Sequence, residues 1–220
     1  MIQGSVDERG AAISTTLPAG SVSYVDRDWL SGTKSAIPSL SFAQDGEVSW
    51  DGRRLGRLAA GKDPTAVAAG AFLGVAREAG VAVAAGARGT VEVVGHGLIG
   101  AYVRRLVTLH SGHDGERPSA VVDTTGDPDL IRAALERVSD LGTVVLAGEA
   151  LGRTLDLDLY SSVHKRGLVL AGVAPPLHGV DVAAVPDIDD EDMAFCRDVL
   201  VEAVSDAPVS GDALWYRIAS

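Results

Sequence analysis

The chain has a single cysteine, Cys196, among its 220 residues, and no histidine before His96. One thiol excludes an internal disulfide framework and any zinc site built from several cysteines. Aromatic residues make up only 5% of the chain, so Ala, Val, Leu and Gly have to supply most of a close-packed core. Basic residues are scarce too: 19 Lys and Arg stand against 30 Asp and Glu, a net charge of −11. Pairs such as Arg53-Arg54 and Arg104-Arg105 are the densest basic features. This balance argues against nucleic acid and anionic membrane surfaces as partners. Residues Met1 to Arg9 lack an apolar signal core, and no stretch is expected to reach membrane-spanning length, so a cytoplasmic protein is expected. What is present is a 46% hydrophobic content with 22% charged residues, enough for a sizeable core.

Residues 1–62 are rich in Ser, Gly, Thr and Asp and read as a small, mostly β segment. Within it, Glu47–Trp50 and Arg53–Leu58 are two strands joined by an Asp51-Gly52 turn. Asp63 and Pro64 then supply an N-cap and a first helical residue, and the helix is expected to stop at Gly80. A turn over Ala84–Gly89 feeds a strand at Thr90–Val94. That strand ends in Gly95-His96-Gly97-Leu98-Ile99-Gly100, and an amphipathic helix follows, with Ile99, Val103, Leu106 and Val107 on one face and an end near Ser111-Gly112. Ser119–Gly126 is a buried strand, and Asp127-Pro128 opens a helix with Leu130, Ile131, Ala134, Leu135 and Val138 inward, closed by Gly142. Thr143–Ala147 and Leu168–Gly172 are two more apolar runs, with a short helix or turn at Leu155–Tyr160 between them. Strands without alternation, interleaved with helices, predict a parallel sheet covered on both faces. Asp187–Asp192 starts an acidic helix whose inward stripe is Met193, Cys196, Val199, Leu200, Ala203 and Val204. Ala213–Ile218 is the last strand. The expected fold class is α/β: a shortened Rossmann-like parallel sheet with helices on both faces (63–178), a small β segment (1–62), and a C-terminal helix and strand (179–220).

The Gly-x-Gly-x-x-Gly loop carries the chemistry. Gly95, Gly97 and Gly100 let a pyrophosphate rest on amides at a helix start, with His96 in a loop position that can face a ligand. The same glycines also serve packing, with Gly100 bringing helix and strand together. Asp123, at roughly the expected interval of ~20 residues, is a candidate ribose-binding acid, with Gly126 in the turn beside it. On that reading the strand order is 3-2-1-4; otherwise Asp123 belongs to a later strand and the order is 1-4-5-6. The other polar candidates read as solvated or structural: His110 and His113 with Asp114 and Glu116, His164 with Lys165 and Arg166, His178, and the acidic run Asp187–Asp192 at a helix start. Cys196 lies on an apolar stripe and reads as a core thiol. No nucleophile–base constellation assembles.

Taken in series, the helix at 64–79, Val91-Glu-Val-Val-Gly-His-Gly-Leu-Ile-Gly100, Val121-Val-Asp-Thr-Thr-Gly126, Leu141–Gly148 and Val163–Gly172 resemble the medium-chain dehydrogenase/reductase superfamily. The similarity is to its alcohol dehydrogenase and quinone reductase relatives and covers roughly residues 64–175. The resemblance implies a Rossmann domain and makes residues 1–62 a remnant of a GroES-like catalytic domain. It implies dimerisation through the strand Leu168–Gly172. The family's catalytic zinc ligands are absent, since neither His nor Cys precedes His96. A further departure decides the functional reading. The interval from Gly95 to Asp123 holds one strand–helix–strand unit, so the second and third strands of the family, which receive ribose and adenine, have no room. The sequence therefore predicts a truncated, zinc-free relative that has lost hydride transfer, binds no cofactor and no metal, and acts as a binding, scaffold or partner protein or as a cofactor-free catalyst in a bacterial biosynthetic pathway. The strand Thr90–Val94 is left with an open edge that a peptide or protein can join. The alternative is a small zinc-independent NAD(P)H oxidoreductase using Gly95, His96, Gly97, Gly100, Asp123 and Gly126.

Overall fold

The computed structural model describes residues 2–7, 10–15, 22–30, 39–50, 53–107, 117–149, 155–178, 181–185, 188–197, 201–204 and 213–218. In chain order the strands and α-helices are β1 (Ile2–Asp7), β2 (Gly10–Thr15), β3 (Val22–Val25), β4 (Leu40–Phe42), β5 (Glu47–Trp50), β6 (Arg53–Arg57), α1 (Pro64–Gly86), β7 (Val91–Val94), α2 (Leu98–Leu106), β8 (Ala120–Asp123), α3 (Pro128–Arg137), β9 (Thr143–Leu146), β10 (Val169–Gly172), α4 (Asp190–Arg197), β11 (Val201–Val204) and β12 (Ala213–Ile218). The chain divides into two compact units, 1–74 with 176–220, and 75–175.

The first unit is an antiparallel sheet of order β1-β2-β12-β11-β3-β4-β5-β6. The two expected strands at 47–57 pair antiparallel, while their Asp51-Gly52 turn lies outside the described residues. Most of the chain's few aromatics belong to this unit. Trp29 is fully buried, with its ring 5.7 Å from Trp50 and 5.6 Å from Phe72. Tyr24 meets Phe42 edge-on at 5.8 Å. The C-terminal stripe departs from expectation. The helix ends at Arg197, and Ala203 and Val204 lie on β11, paired with β3 on one side and β12 on the other. Val199 and Leu200 lie outside the described residues. Over the few residues Val201–Val204 apolar spacing fits either period, and strand pairing decides it.

Asp63 does cap α1, its Oδ1 accepting from the Thr65 amide at 3.1 Å. The helix runs past Gly80 to Gly86, and the expected turn begins only after it. Gly80 is an interior glycine: a Cβ there would stand 3.5 Å from Leu106. The extension also corrects the expectation about spanning length. At 23 residues and a mean hydropathy of 1.5, α1 is long and apolar enough to cross a membrane, but 56% of that stretch is buried, as in a core helix.

The second unit holds a four-stranded parallel sheet of order β10-β9-β8-β7. This order excludes 3-2-1-4, which would set β10 beside β7, and agrees with 1-4-5-6. Register and alternation put Glu92, Val94, Val121, Val144 and Leu146 on one face. There α3 packs Ile131, Ala134, Leu135 and Val138 against Val121 and Val144. Thr143 points to the other face, where its hydroxyl, buried and without a partner, sits 2.3 Å from where a Cβ on Gly86 of α1 would be. Leu106 of α2 meets Gly80 of that same helix, and Arg77 of α1 donates to the Tyr102 hydroxyl at 3.4 Å. Helices therefore cover both faces, α3 on one and α1 with α2 on the other. The strands β8 and β9 are buried, as predicted, but β10 is not: Val169 is 54% and Leu170 38% exposed. As described, α2 ends at Leu106, because Val107 is extended (φ −87°, ψ 112°), and 108–116 lie outside the described residues.

Side chains close the ends of α3 and of the following turn. Asp127 Oδ1 accepts from the Asp129 amide at 2.8 Å, the predicted N-cap. At the other end the Arg166 guanidinium donates to the carbonyls of Leu135 and Val138, and its Nε to Asp140 at 2.7 Å. Arg166→Ala leaves those carbonyls unpaired, and urea unfolding is expected to show a loss of about 1–2 kcal/mol. The helical turn between β9 and β10 is at Tyr160–His164, later than expected, because Asp158 caps it by accepting from the Tyr160 and Ser161 amides at 3.0 and 3.1 Å. Hydrogen bonds from Ser161, its hydroxyl foremost, hold the Asp158 carboxyl below the ordinary carboxylate range. That contribution is present at neutral pH and is lost as pH falls through the lowered pKa.

Candidate functional site

The predicted site residues come together at the carboxyl ends of β7 and β8. Parallel sheets expose a ligand crevice where adjacent strands send their connections to opposite faces. Here β7 leads into α2 on one face and β8 into α3 on the other, so the loops 95–97 and 124–126 diverge. Glycine at 95 follows from its backbone, whose φ of 111° is closed to most L side chains. Gly97 is the N-cap of α2 and is buried. It offers no side chain to cap the helix, so the first α2 amides receive no hydrogen bond from this residue's side chain. His96 stands between them and is exposed.

The third glycine answers to packing. A Cβ on Gly100 would be 2.9 Å from Thr124 Oγ1 and 3.0 Å from the Gly95 carbonyl, so α2 closes directly onto the loop. The Thr124 hydroxyl in turn donates to the Val94 carbonyl at 3.0 Å.

Asp123 is fully buried at the end of β8, with its carboxylate turned into its own loop. Oδ1 accepts from the Thr125 hydroxyl at 2.7 Å, and Oδ2 accepts from the Gly126 amide at 2.9 Å. Gly126 itself has φ +65°. The loop after β9 presses on the same turn: a Cβ on Gly148 would lie 2.2 Å from the Gly126 nitrogen. The geometry thus brings the glycine loop and the 124–126 turn together at one end of the sheet, with Asp123 organising that turn.

One functional residue escaped the sequence reading. β7 is an edge strand, pairing only with β8 among the described residues. The carbonyls of Thr90 and Val94 face β8, accepting from Ser119 and Thr124. Those of Val93 and Gly95 face outward, and both accept from Nη2 of Arg104 on α2, the first at 2.8 Å. Nothing in the sequence beyond the solvent-side position of Arg104 signals this.

His164 is exposed and stacks on Tyr160 at 5.0 Å, and His178 is exposed. Cys196 is 1% exposed. Asp189 Oδ1 accepts from the Asp192 amide at 2.7 Å at the start of α4, a local cap. His110, His113, Asp114, Glu116 and Asp187 lie outside the described residues. Among the described residues no group of three or more His, Cys, Asp or Glu is placed to hold a metal ion.

No protein-family model and no curated protein matches the chain. Solved structures do show likeness. L-idonate 5-dehydrogenase of Escherichia coli K-12 is 10% identical with a TM-score of 0.41, over 90% of this chain and 86% of that one. The yhdH oxidoreductase of Salmonella enterica, solved with NADP, is 17% identical with a TM-score of 0.36, over 88% and 90%. Benzyl alcohol dehydrogenase of Acinetobacter calcoaceticus is 13% identical with a TM-score of 0.37, over 68% of this chain and 50% of that one, so the chain spans about half its length. Identities of 10–17% at these TM-scores say nothing of what the chain does.

Proposed function

We propose that this chain is a binding or partner protein on a dehydrogenase-like fold, and that it does not transfer hydride with a dinucleotide. The observation behind this reading is the position of β7. In a dinucleotide-binding sheet the strand with the glycine loop has a neighbour on its outer side, which brings the ribose-binding acid and receives adenosine. Here that side of β7 meets Arg104 instead. Asp123 does not replace the missing acid, because its carboxylate holds Thr125 and Gly126. Titration with NADH and with NADPH, followed by fluorescence or calorimetry, is expected to show no saturable binding below millimolar concentration. Sub-millimolar affinity for either would overturn the proposal.

The divergent loops at 95–97 and 124–126 favour a second reading, a small zinc-independent NAD(P)H oxidoreductase that grips the nicotinamide half. The same titration separates the two. As partner we propose a second copy of the chain, joined through Leu168–Gly172. Strands of a parallel sheet are ordinarily covered on both faces, and β10 leaves Val169 and Leu170, on opposite faces, in solvent. A peptide adding at Thr90–Val94 would first have to displace Arg104.

A further inference from the structure

The two edges of the parallel sheet are not equivalent. At β7 the two outward carbonyls next to the glycine loop, those of Val93 and Gly95, are held by one Arg104 guanidinium nitrogen. The same strand carries a charged residue, Glu92, paired with Arg137 at 2.9 Å. Charges and side chains laid over a strand edge are what keep such an edge from recruiting another strand. At β10 the exposed residues are apolar instead, Val169 and Leu170, and the turn before it leaves Leu159 and Tyr160 59% and 61% exposed. We infer that Arg104 is a latch that closes the β7 edge to strand addition, so that this sheet extends into another copy of the chain through β10 only.

The consequence is geometric. A sheet with two open edges joins head to tail without limit, whereas one open edge pairs with its own copy and stops. The limit to a dimer rests on the β10 pairing proposed above; the latch does not. It acts without any ligand. The guanidinium takes the outward Val93 carbonyl that an incoming strand needs, together with that of Gly95 just beyond the strand, and so lies over this edge. The outward amide of Val93 is not engaged by Arg104, which only donates, and in a parallel strand the amide and carbonyl of one residue point to the same side.

Light scattering after size exclusion, over a range of concentrations, tests this on the full chain, with circular dichroism to confirm folding. Wild type is expected as a dimer whose mass does not grow with concentration. Arg104→Ala is expected to form species larger than a dimer whose mass rises with concentration, and Arg104→Gln, with a shorter reach, is expected to do so to a lesser degree. Adding Val93→Pro to Arg104→Ala removes the outward amide without touching the ladder to β8, and is expected to restore the wild-type mass. A folded Arg104→Ala with wild-type mass at every concentration overturns the latch. So does growth that Val93→Pro fails to reverse. If Arg104→Ala does not fold, wild-type behaviour of Arg104→Gln overturns it equally. A monomeric wild type whose Arg104→Ala variant still grows removes the β10 dimer and supports the latch.

Discussion

Gly148→Ala is expected to unfold the parallel-sheet unit or to cost it upwards of about 3 kcal/mol, measured as a lower midpoint in urea with near-native far-UV dichroism lost early. The methyl group would arrive 2.2 Å from the Gly126 nitrogen, 2.6 Å from the Thr124 carbonyl carbon and 2.7 Å from that of Thr125. All three are backbone atoms of one turn, so no rotamer change can make room. The turn cannot retreat either, because Gly126 is tied to Asp123 and the Ala147 amide beside Gly148 donates to the Asp123 carbonyl at 2.8 Å. Gly61 provides the control, since it has nothing within 4 Å of a Cβ; its φ of +80° still makes Gly61→Ala strained, but only locally. A Gly148→Ala protein as stable as wild type would mean that the loops after β8 and β9 do not meet as described. The result bears on function as well as folding. If Gly148 and Gly100 are needed to let backbones touch, the glycine richness of this end of the sheet is explained by packing, and it stops counting as evidence for a cofactor.

The parts of this fold that were legible in the sequence are those in which a local signal and tertiary packing agree. Asp127-Pro128 announces its helix because the cap bonds its own neighbour and needs nothing distant. The continuous runs Ala120–Asp123 and Thr143–Leu146 announce central parallel strands because both their faces are covered. The strand, glycine loop and helix over 91–106 read correctly for a related reason, since the positive φ of Gly95 and the close approach of Gly100 each admit glycine and little else.

The misreadings share the opposite cause. Gly80 looks like a helix stop, and its lack of a side chain in fact lets Leu106 lie against α1, a contact more than twenty residues away in sequence. Ala203 and Val204 continue a helical stripe on paper, but β3 and β12 compete for their backbone. Arg104 was legible only as a solvent-side cation. Its role depends on which strand lies outermost, and the order of the sheet is not written in any one segment.

Asp123→Asn gives the second large effect, an expected loss of about 3 kcal/mol, and it discriminates between a structural and a ligand-binding acid. The side chain is fully buried, so whatever its atoms do not bond inside the protein they cannot bond to water. As a carboxylate it offers only acceptors, and the donors it meets include the Thr125 hydroxyl and, more weakly at 3.4 Å, the Thr125 amide at Oδ1, and the Gly126 amide at Oδ2. Asparagine keeps the shape but must turn its NH2 towards one of these. Facing Gly126, it sets donor against donor; flipped, it confronts the Thr125 amide and leaves the hydroxyl to reorient. Hydrogen bonds to a charged group contribute roughly 1.5–3 kcal/mol each, and a buried donor left unpaired adds its own desolvation cost. Asp123→Ala empties the position and is expected to cost at least as much. The companion variant is Thr125→Val, which deletes the shortest of these bonds along with the one its hydroxyl accepts from the Asp127 amide at 3.0 Å, and is expected to cost about 1.5–2 kcal/mol, because Gly126 still holds the other oxygen. A ribose-binding acid would behave in the reverse way, since its carboxylate would be kept for a ligand: Asp123→Asn would leave urea stability unchanged and abolish nucleotide binding. Unfolding curves of Asp123→Asn and Thr125→Val, measured without any nucleotide present, therefore decide what the best-placed acid of this sheet is for.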